Sequence, residues 1–434
     1  MNNGVKGKVL WAAVNFCRVG IAATFVFSGI VKASDPLGTQ YKIEEYVRAF
    51  GWSRVVPSFL PLWTAVVLAV FEFCMGVYML FGIRRRLTCA LLIVFLSIAT
   101  PFALYLTIFR PVSDCGCFGD AVKLTNGQTL AKNVVLLLMT LFVSRRRNRM
   151  TRLVSERNQW VVSLYSIFFA FVLAEFCLMR LPVFDFRPYH VGADIRALVE
   201  KADSQAEYST TFVLEKDGVE KEFTVDDYPT DTAWRLVRRN TVLLKGSEQA
   251  IDFMLSAWPD NGDDVTLDVL NEEGYSFWLV APYLEQADDS NIDRINLLYD
   301  FAAEYDYAFY CLTASGDKAI AHWQEMTGAE YPFCTADDVT LKTIIRSNPG
   351  LVLLKDGVVY NKWSCNNLPN EEELTEPLET SELGRLQTAS RTATALRVML
   401  WFIIPLMIFA LLDRLWMRKK MKGKARIKHI IQTH

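Results

Sequence analysis

The stretch RRRLTCALLIVFLSIATPFALYLTIFR, residues 84–110, decides the architecture. Arg84-Arg85-Arg86 are followed by an uncharged apolar run from Leu87 to Phe109, which ends at Arg110. An α-helix needs roughly 20 apolar residues to cross the hydrocarbon core of a bilayer, so the run reads as a transmembrane helix with one strongly basic end. Five further runs have this character: Leu10–Val31, Leu62–Gly82, Thr129–Val143, Trp160–Met179 and Ala393–Leu412. Thr129–Val143 is the shortest and carries Lys132, which leaves a re-entrant helix or a buried hairpin open for it. Leu10–Val31 is long for the apolar region of a signal peptide, and Lys32-Ala33-Ser34-Asp35 makes a poor cleavage site.

Orientation follows from the basic residues. Lys6 and Lys8 precede the first span, and Arg84-Arg85-Arg86 join the second and third. Arg145-Arg146-Arg147-Asn148-Arg149 follow the fourth, and Arg418-Lys419-Lys420 begin a basic tail after the sixth. If all six runs cross, every cluster falls on one side, which the positive-inside rule makes the cytoplasm. The expectation is a multi-pass protein of the bacterial inner membrane, with both termini cytoplasmic and the lipid bilayer as its first partner. The outer side then receives residues 32–61, residues 110–128 and the large segment Arg180–Arg391 in the periplasm.

Composition agrees. Of the 434 residues 52% are hydrophobic, high for a soluble protein. The net charge of −2 hides an acidic Arg180–Arg391 and a basic remainder, so the one large polar segment offers no basic face to nucleic acid. Four histidines outside the apolar runs leave little for haem or a histidine-bound metal, and no metal site is expected. Nine cysteines are too few for a disulfide scaffold but enough for redox pairs.

Within the acidic segment, Thr210–Leu214 and Lys221–Val225 read as a β-hairpin across Glu215-Lys216-Asp217-Gly218. Strand Tyr275–Val280, helix Asn291–Glu304, strand Tyr307–Thr313, a helix including His322–Thr327, strand Tyr331–Cys334 and helix Val339–Ile345 follow in order. After Asn348-Pro349-Gly350 come strands Leu351–Leu354 and Val358–Trp363, joined by Lys355-Asp356-Gly357. This order resembles TlpA-like thioredoxin domains, with Pro349 at the position of their cis-proline. The resemblance implies a Cys-x-x-Cys near Pro282–Asp288, where this chain reads Pro-Tyr-Leu-Glu-Gln-Ala-Asp, so ordinary thioredoxin catalysis does not carry over. Cys311 and Cys334 remain. The strand order places them side by side, within bridging distance or as small buried apolar residues. Cys365 reads as exposed and is left unassigned.

The string Pro111-Val112-Ser113-Asp114-Cys115-Gly116-Cys117-Phe118-Gly119-Asp120 carries the most chemistry. It lies at the outer end of the third run, where thiols pair readily. Gly116 frees the backbone to close a Cys-x-Cys ring, and small strained rings exchange readily. Asp114 and Asp120 are expected to oppose thiolate formation by like charge. Static disulfides and a metal site are the alternatives, the latter poor without histidine.

Residues 10–143 resemble the DoxX and methylamine-utilisation MauE group. The matching strings are Phe25-Val26-Phe27-Ser28-Gly29-Ile30-Val31-Lys32 with Asp35-Pro36, Glu72 with Gly76, and Asp114-Cys115-Gly116-Cys117-Phe118-Gly119. The resemblance implies a four-helix inner-membrane protein concerned with disulfide maturation or electron supply to extracytoplasmic protein thiols or disulfides. A quinone is the one cofactor it leaves open. The fold class is therefore an α-helical membrane bundle, a four-helix DoxX/MauE-like core plus two further spans, with an inserted α/β thioredoxin-like extracytoplasmic domain. The boundaries are 1–150 for the four-helix domain, 151–180 for the fifth span, 181–264 for a β-rich subdomain, 265–390 for the thioredoxin-like domain and 391–434 for the sixth span and tail.

Arg18 and Glu72 are charges inside spans, costly to bury, and read as a pair, serving either as a structural ion pair or in a proton or quinone role. Cys17, Cys74, Cys89 and Cys177 read as packing residues. Two functions compete. In one, Cys115 and Cys117 exchange disulfides with Cys311 and Cys334 or with a partner. In the other, a degenerate thioredoxin domain binds envelope proteins without catalysis, as a thiol-independent assembly factor. Transport has little support.

Overall fold

The computed structural model describes residues 2–112, 114–205, 207–216, 219–224, 235–245, 253–259, 263–387 and 391–432. It divides into two compact units, Met1–Arg187 with Ala389–His434, and Pro188–Thr388.

The first unit is helical. Its helices are α1 (Asn2–Ser34), α2 (Pro36–Ala49), α3 (Leu60–Phe81), α4 (Arg85–Phe109), α5 (Asn126–Arg145), α6 (Gln159–Met179) and a C-terminal helix (Arg391–Gln432). Six of these contain stretches long and apolar enough to cross a membrane, α2 being the exception, so the chain is a multi-pass membrane protein. The shortest expected span becomes a full helix, because the Thr125 hydroxyl and the Gln128 side chain cap α5 reciprocally and start it before the apolar run.

Helices α1 and α3 pack closely and antiparallel, because two glycines leave room for backbone against backbone. A Cβ at Gly76 would lie 2.6 Å from the Val26 nitrogen and 2.9 Å from the Ala22 carbonyl, and one at Gly29 would strike the Phe73 backbone. Gly76→Ala is therefore expected to destabilise the bundle by about 1–3 kcal/mol, the usual cost of overpacking. Gly127→Ala meets nothing within 4 Å and serves as the neutral control. Thermal unfolding of both variants in one detergent checks this, and equal midpoints would contradict it.

Helix α2 was not foreseen. It lies within the segment 32–61, to which the sequence alone assigns no element, and its start is set by Asp35, whose carboxylate accepts a hydrogen bond from the Gly38 N–H at 2.8 Å, and by Pro36 in the first turn.

The second unit begins with α7 (Ile195–Gln205) and a three-stranded antiparallel sheet, β1 (Glu207–Lys216), β2 (Val219–Thr224) and β3 (Arg235–Lys245), in the order β2-β1-β3. The β1–β2 pair is the expected hairpin, with Lys216 opposite Val219; Val225 of that expectation lies outside the described residues. Next come β4 (Ser256–Ala257), α8 (Thr266–Leu270), β5 (Tyr275–Ala281), α9 (Ile292–Glu304), β6 (Ala308–Thr313), α10 (Asp317–Thr327), β7 (Phe333–Thr335), α11 (Asp338–Ile344), β8 (Gly350–Lys355) and β9 (Val358–Ser364). They build a mixed sheet in the order β4-β7-β6-β5-β8-β9. β5 pairs parallel with β6 and antiparallel with β8. Every residue of β5 is buried, as a central strand covered on both faces requires. One face carries the main core, with Phe277, Leu279, Phe309, Cys311, Trp323, Leu351 and Leu353.

Candidate functional site

The Cys-Gly-Cys loop sits between the end of α4 and the start of α5. Gly116 adopts φ +63°, the left-handed region that favours glycine, and so folds the chain back between the two cysteines. A Cβ there would also press on Lys42 at 2.8 Å. The bend leaves Cys115 Sγ and Cys117 Sγ 3.0 Å apart, both cysteines being free thiols.

Two polar side chains of α1, anchored by Glu72 of α3, hold this loop. Lys32 Nζ donates to the Cys117 carbonyl at 2.6 Å, to Ser28 Oγ at 2.7 Å and to Glu72 Oε2 at 2.7 Å. Ser28 Oγ lies 2.6 Å from Glu72 Oε2 and 2.8 Å from the same carbonyl, and its single hydrogen serves one of them. Lys32 is 4% exposed and Glu72 7% exposed. Charges this deep persist only when paired and hydrogen-bonded, and here each neutralises the other.

From the side, α2 supplies two more contacts. The Tyr46 hydroxyl donates to the Cys115 carbonyl at 3.0 Å. Lys42 Nζ pairs with Asp114 at 2.6 Å and Glu45 at 2.8 Å. Burial draws the Lys42 ammonium down, but its bonds to Asp114 and Glu45 outweigh that and hold it raised. On α5, Lys132 Nζ stands 4.5 Å from the centre of the Phe118 ring. Lys132 also lines, with Phe25, Phe95, Phe102, Glu72 and both cysteines, a cavity of about 80 Å³ under the loop.

These surroundings set the thiols apart. The Cys117 thiol is lowered to about 6. The hydrogen bond it takes from Cys115 is the largest cause, Lys132 and Lys32 add to it, and burial opposes it. The Cys115 thiol is raised, through the hydrogen bond it gives to Cys117 and through burial. The like charge expected from Asp114 and Asp120 is met by nearby cations. Asp114 is tied to Lys42, and folding brings Lys32 and Lys132, far apart in sequence, toward Cys117.

The expected Arg18–Glu72 pair does not form. The contacts of Gly29 with Phe73 and of Gly76 with Val26 fix the antiparallel register of α1 and α3, in which facing residue numbers sum to about 102. Arg18 is then level with residue 84, some 12 positions or roughly 18 Å along the helix from Glu72. Instead, Arg18 donates to the Thr151 carbonyl, and Glu72 takes Lys32.

In the second unit Cys311 and Cys334 do lie on adjacent parallel strands, but β7 is placed so that Cys334 faces Leu312 and Cys311 faces Phe333. Successive side chains alternate between faces, so the two sulfurs point to opposite sides of the sheet. They are therefore not in the bridging arrangement that the strand order leads one to expect. Cys311 is wholly buried and burial raises its thiol; burial pushes the Cys334 thiol up to about 11. Cys365, expected at the surface, is buried: its N–H donates to Ser347 Oγ at 3.0 Å and its sulfur lies 3.7 Å from Asp288 Oδ2. That position borders Pro349, whose preceding peptide bond is cis, and the loop Pro282–Asp288. The packing roles expected for Cys74, Cys89 and Cys177 agree with their burial, while Cys17 is half-buried.

Sequence reasoning missed Lys42 and Tyr46 as parts of the site. The signal was present in Asp35-Pro36, a helix cap followed by a first-turn proline. Among the described residues, no cluster of histidine, cysteine or acidic side chains is arranged to hold a metal ion.

Residues 9–144 match the family described as methylamine utilisation protein MauE, a stretch that takes in the loop, its lysines and Glu72 but covers less than half of the chain. Residues 208–246 match a domain of unknown function, DUF8463. No curated protein and no solved structure matches the chain. The membrane half is thus similar to MauE over α1 to α5.

Proposed function

We propose that this chain is an inner-membrane thiol–disulfide exchange protein whose Cys115–Cys117 pair trades electrons with cysteines of extracytoplasmic proteins. The MauE match supports an accessory role of the methylamine-utilisation kind. The observation that carries the reading is the pair itself: two sulfurs 3.0 Å apart, one of them lowered to about 6, on a loop held by Lys32 and Ser28, which Glu72 anchors. The four basic clusters support placing the loop and the acidic unit in the periplasm, with both termini cytoplasmic.

The exchange balances without another reagent. A client thiolate attacks one sulfur of the Cys115–Cys117 disulfide, the S–S bond breaks, and the other sulfur leaves as a thiolate. The client's second thiol then attacks the mixed disulfide. Two electrons and two protons pass from client to loop, and the reverse sequence reduces a client disulfide.

For the second unit, the order β7-β6-β5-β8-β9, the α9 crossover between β5 and β6, and the position of Pro349 before β8 support a thioredoxin-like unit. Its buried Cys311 and Cys334 and the cysteine-free Pro282–Asp288 loop favour client binding without catalysis there, the assembly-factor reading confined to this unit.

The test uses full-length protein in liposomes, pre-oxidised with diamide and freed of it, then mixed with a reduced dithiol peptide. About one peptide disulfide per protein is expected by mass spectrometry, and none with Cys115→Ser/Cys117→Ser. Peptide oxidation no greater than with empty liposomes would refute the proposal.

The charge environment gives a separate expectation. A thiol lowered to about 6 is thiolate above that pH. Alkylation of Cys117 by iodoacetamide should therefore set in at a pH below that of an ordinary cysteine, whose midpoint is about 8.5. Lys132→Met removes a cation and should move the midpoint upward. A wild-type midpoint near 8.5 would contradict the assigned environment.

A further inference from the structure

At the basic end of the bundle, away from the cysteine loop, the segment leading into α6 and the end of the sixth span enclose a recess of about 620 Å³. It is lined by Arg152–Arg157 on one side and by Asp413, Arg414, Trp416 and Met417 on the other. We propose that this recess binds the headgroup of an anionic phospholipid.

Three observations carry this. First is depth. The span Glu156–Met179 begins here and the span Thr392–Met417 ends here, so the recess lies where a bilayer's phosphates lie. Trp416 is placed as interfacial tryptophans are.

Second is charge. Arg152, Arg157 and Arg414 all line the recess. The acidic residues beside them are already engaged. Glu156 holds Arg152, and the Asp413 carboxylate accepts from the Ser155 N–H at 2.8 Å, Ser155 Oγ at 2.7 Å and Asn158 Nδ2 at 2.7 Å. The Arg157 guanidinium is oriented over the Trp416 ring at 5.7 Å, and neither Arg157 nor Arg414 forms an ion pair among the described residues. Two cations are thus left for a phosphate, which arginine recognises with two parallel N–H donors.

Third is the character of the walls. Leu153, Val154, Trp416 and Met417 make much of the lining apolar. A free phosphate ion gains nothing from such a wall, whereas the glycerol and first methylenes of a lipid do. This favours a phospholipid over a soluble anion.

Native mass spectrometry of the full-length protein tests the assignment, with phosphatidylglycerol and phosphatidylcholine offered in equal amounts. Wild type should retain phosphatidylglycerol preferentially. Each basic residue near an anionic lipid is worth about fivefold, so Arg157→Gln/Arg414→Gln should lower retention by roughly 20–30-fold. Arg157→Lys/Arg414→Lys keeps the charge and should retain most of the preference, which separates lost binding from lost folding. Equal retention of the two lipids, or an unchanged preference in the glutamine variant, would overturn the proposal. Displacement of the bound lipid by millimolar inorganic phosphate would also overturn it, by showing a site for the free anion.

Discussion

Cys117→Ser is expected to abolish exchange by the loop, while Cys115→Ser is expected to accumulate a mixed disulfide between Cys117 and a client. The asymmetry follows from the two environments. Cys117 is lowered to about 6 by the hydrogen bond from Cys115 and by Lys132 and Lys32, so it is mostly thiolate at neutral pH. Cys115 is raised and stays a thiol. Only the thiolate attacks a disulfide. At pH 7 a thiol held below the ordinary value of about 8.5 is more fully ionised, and the lower intrinsic nucleophilicity of an acidic thiol offsets part of that gain. Without Cys115 no second loop sulfur can release the client, so the covalent adduct persists. Non-reducing electrophoresis with a disulfide-bearing peptide reads both variants. Adducts of equal abundance in the two, or more adduct with Cys117→Ser, would contradict the assignment of roles.

Lys32→Met is expected to destabilise the membrane unit by about 3–5 kcal/mol, the cost of leaving one member of a buried pair uncompensated. Glu72 would then remain 7% exposed in the bundle without its cation, and the Cys117 carbonyl would lose its shortest donor. Lys32→Met/Glu72→Leu removes both charges and should recover most of the loss, since a buried ion pair replaced by apolar groups is often neutral. The double variant should nevertheless exchange more slowly, because the loop is no longer held from beneath and a cation near Cys117 is gone. Thermal unfolding together with exchange rates separates the two effects. A single variant as stable as wild type would contradict the pairing.

How much of this the sequence reveals depends on how local the signal is. The six spans are legible because each is written in one continuous run of apolar residues, and the strands and helices from Tyr275 to Ser364 are legible because their periodicity is local. The Cys-Gly-Cys loop is legible for the same reason. What escapes is register. On α1, Glu72 could meet Arg18 or Lys32 among its basic residues, and only the glycine contacts at Gly29 and Gly76 decide between these two. Likewise a one-residue offset between β6 and β7 places Cys334 opposite Leu312, and a single step along a strand exchanges its faces. The lysine environment of the loop is of this type too: Lys32 and Lys132 near Cys117 and Lys42 on Asp114 come from three helices. In sequence only the neighbouring Asp114 and Asp120 are visible, and they give the opposite electrostatic sign.

The most direct test of the central claim is the redox state of Cys115 and Cys117 in native membranes, read by differential alkylation and mass spectrometry of the peptide that contains both. The account expects an intramolecular Cys115–Cys117 disulfide in untreated membranes, two free thiols after a mild reductant, and the disulfide again after exposure to oxidised glutathione. Two thiols that persist through oxidised glutathione, or either cysteine found bridged permanently to another cysteine of the chain, would contradict it.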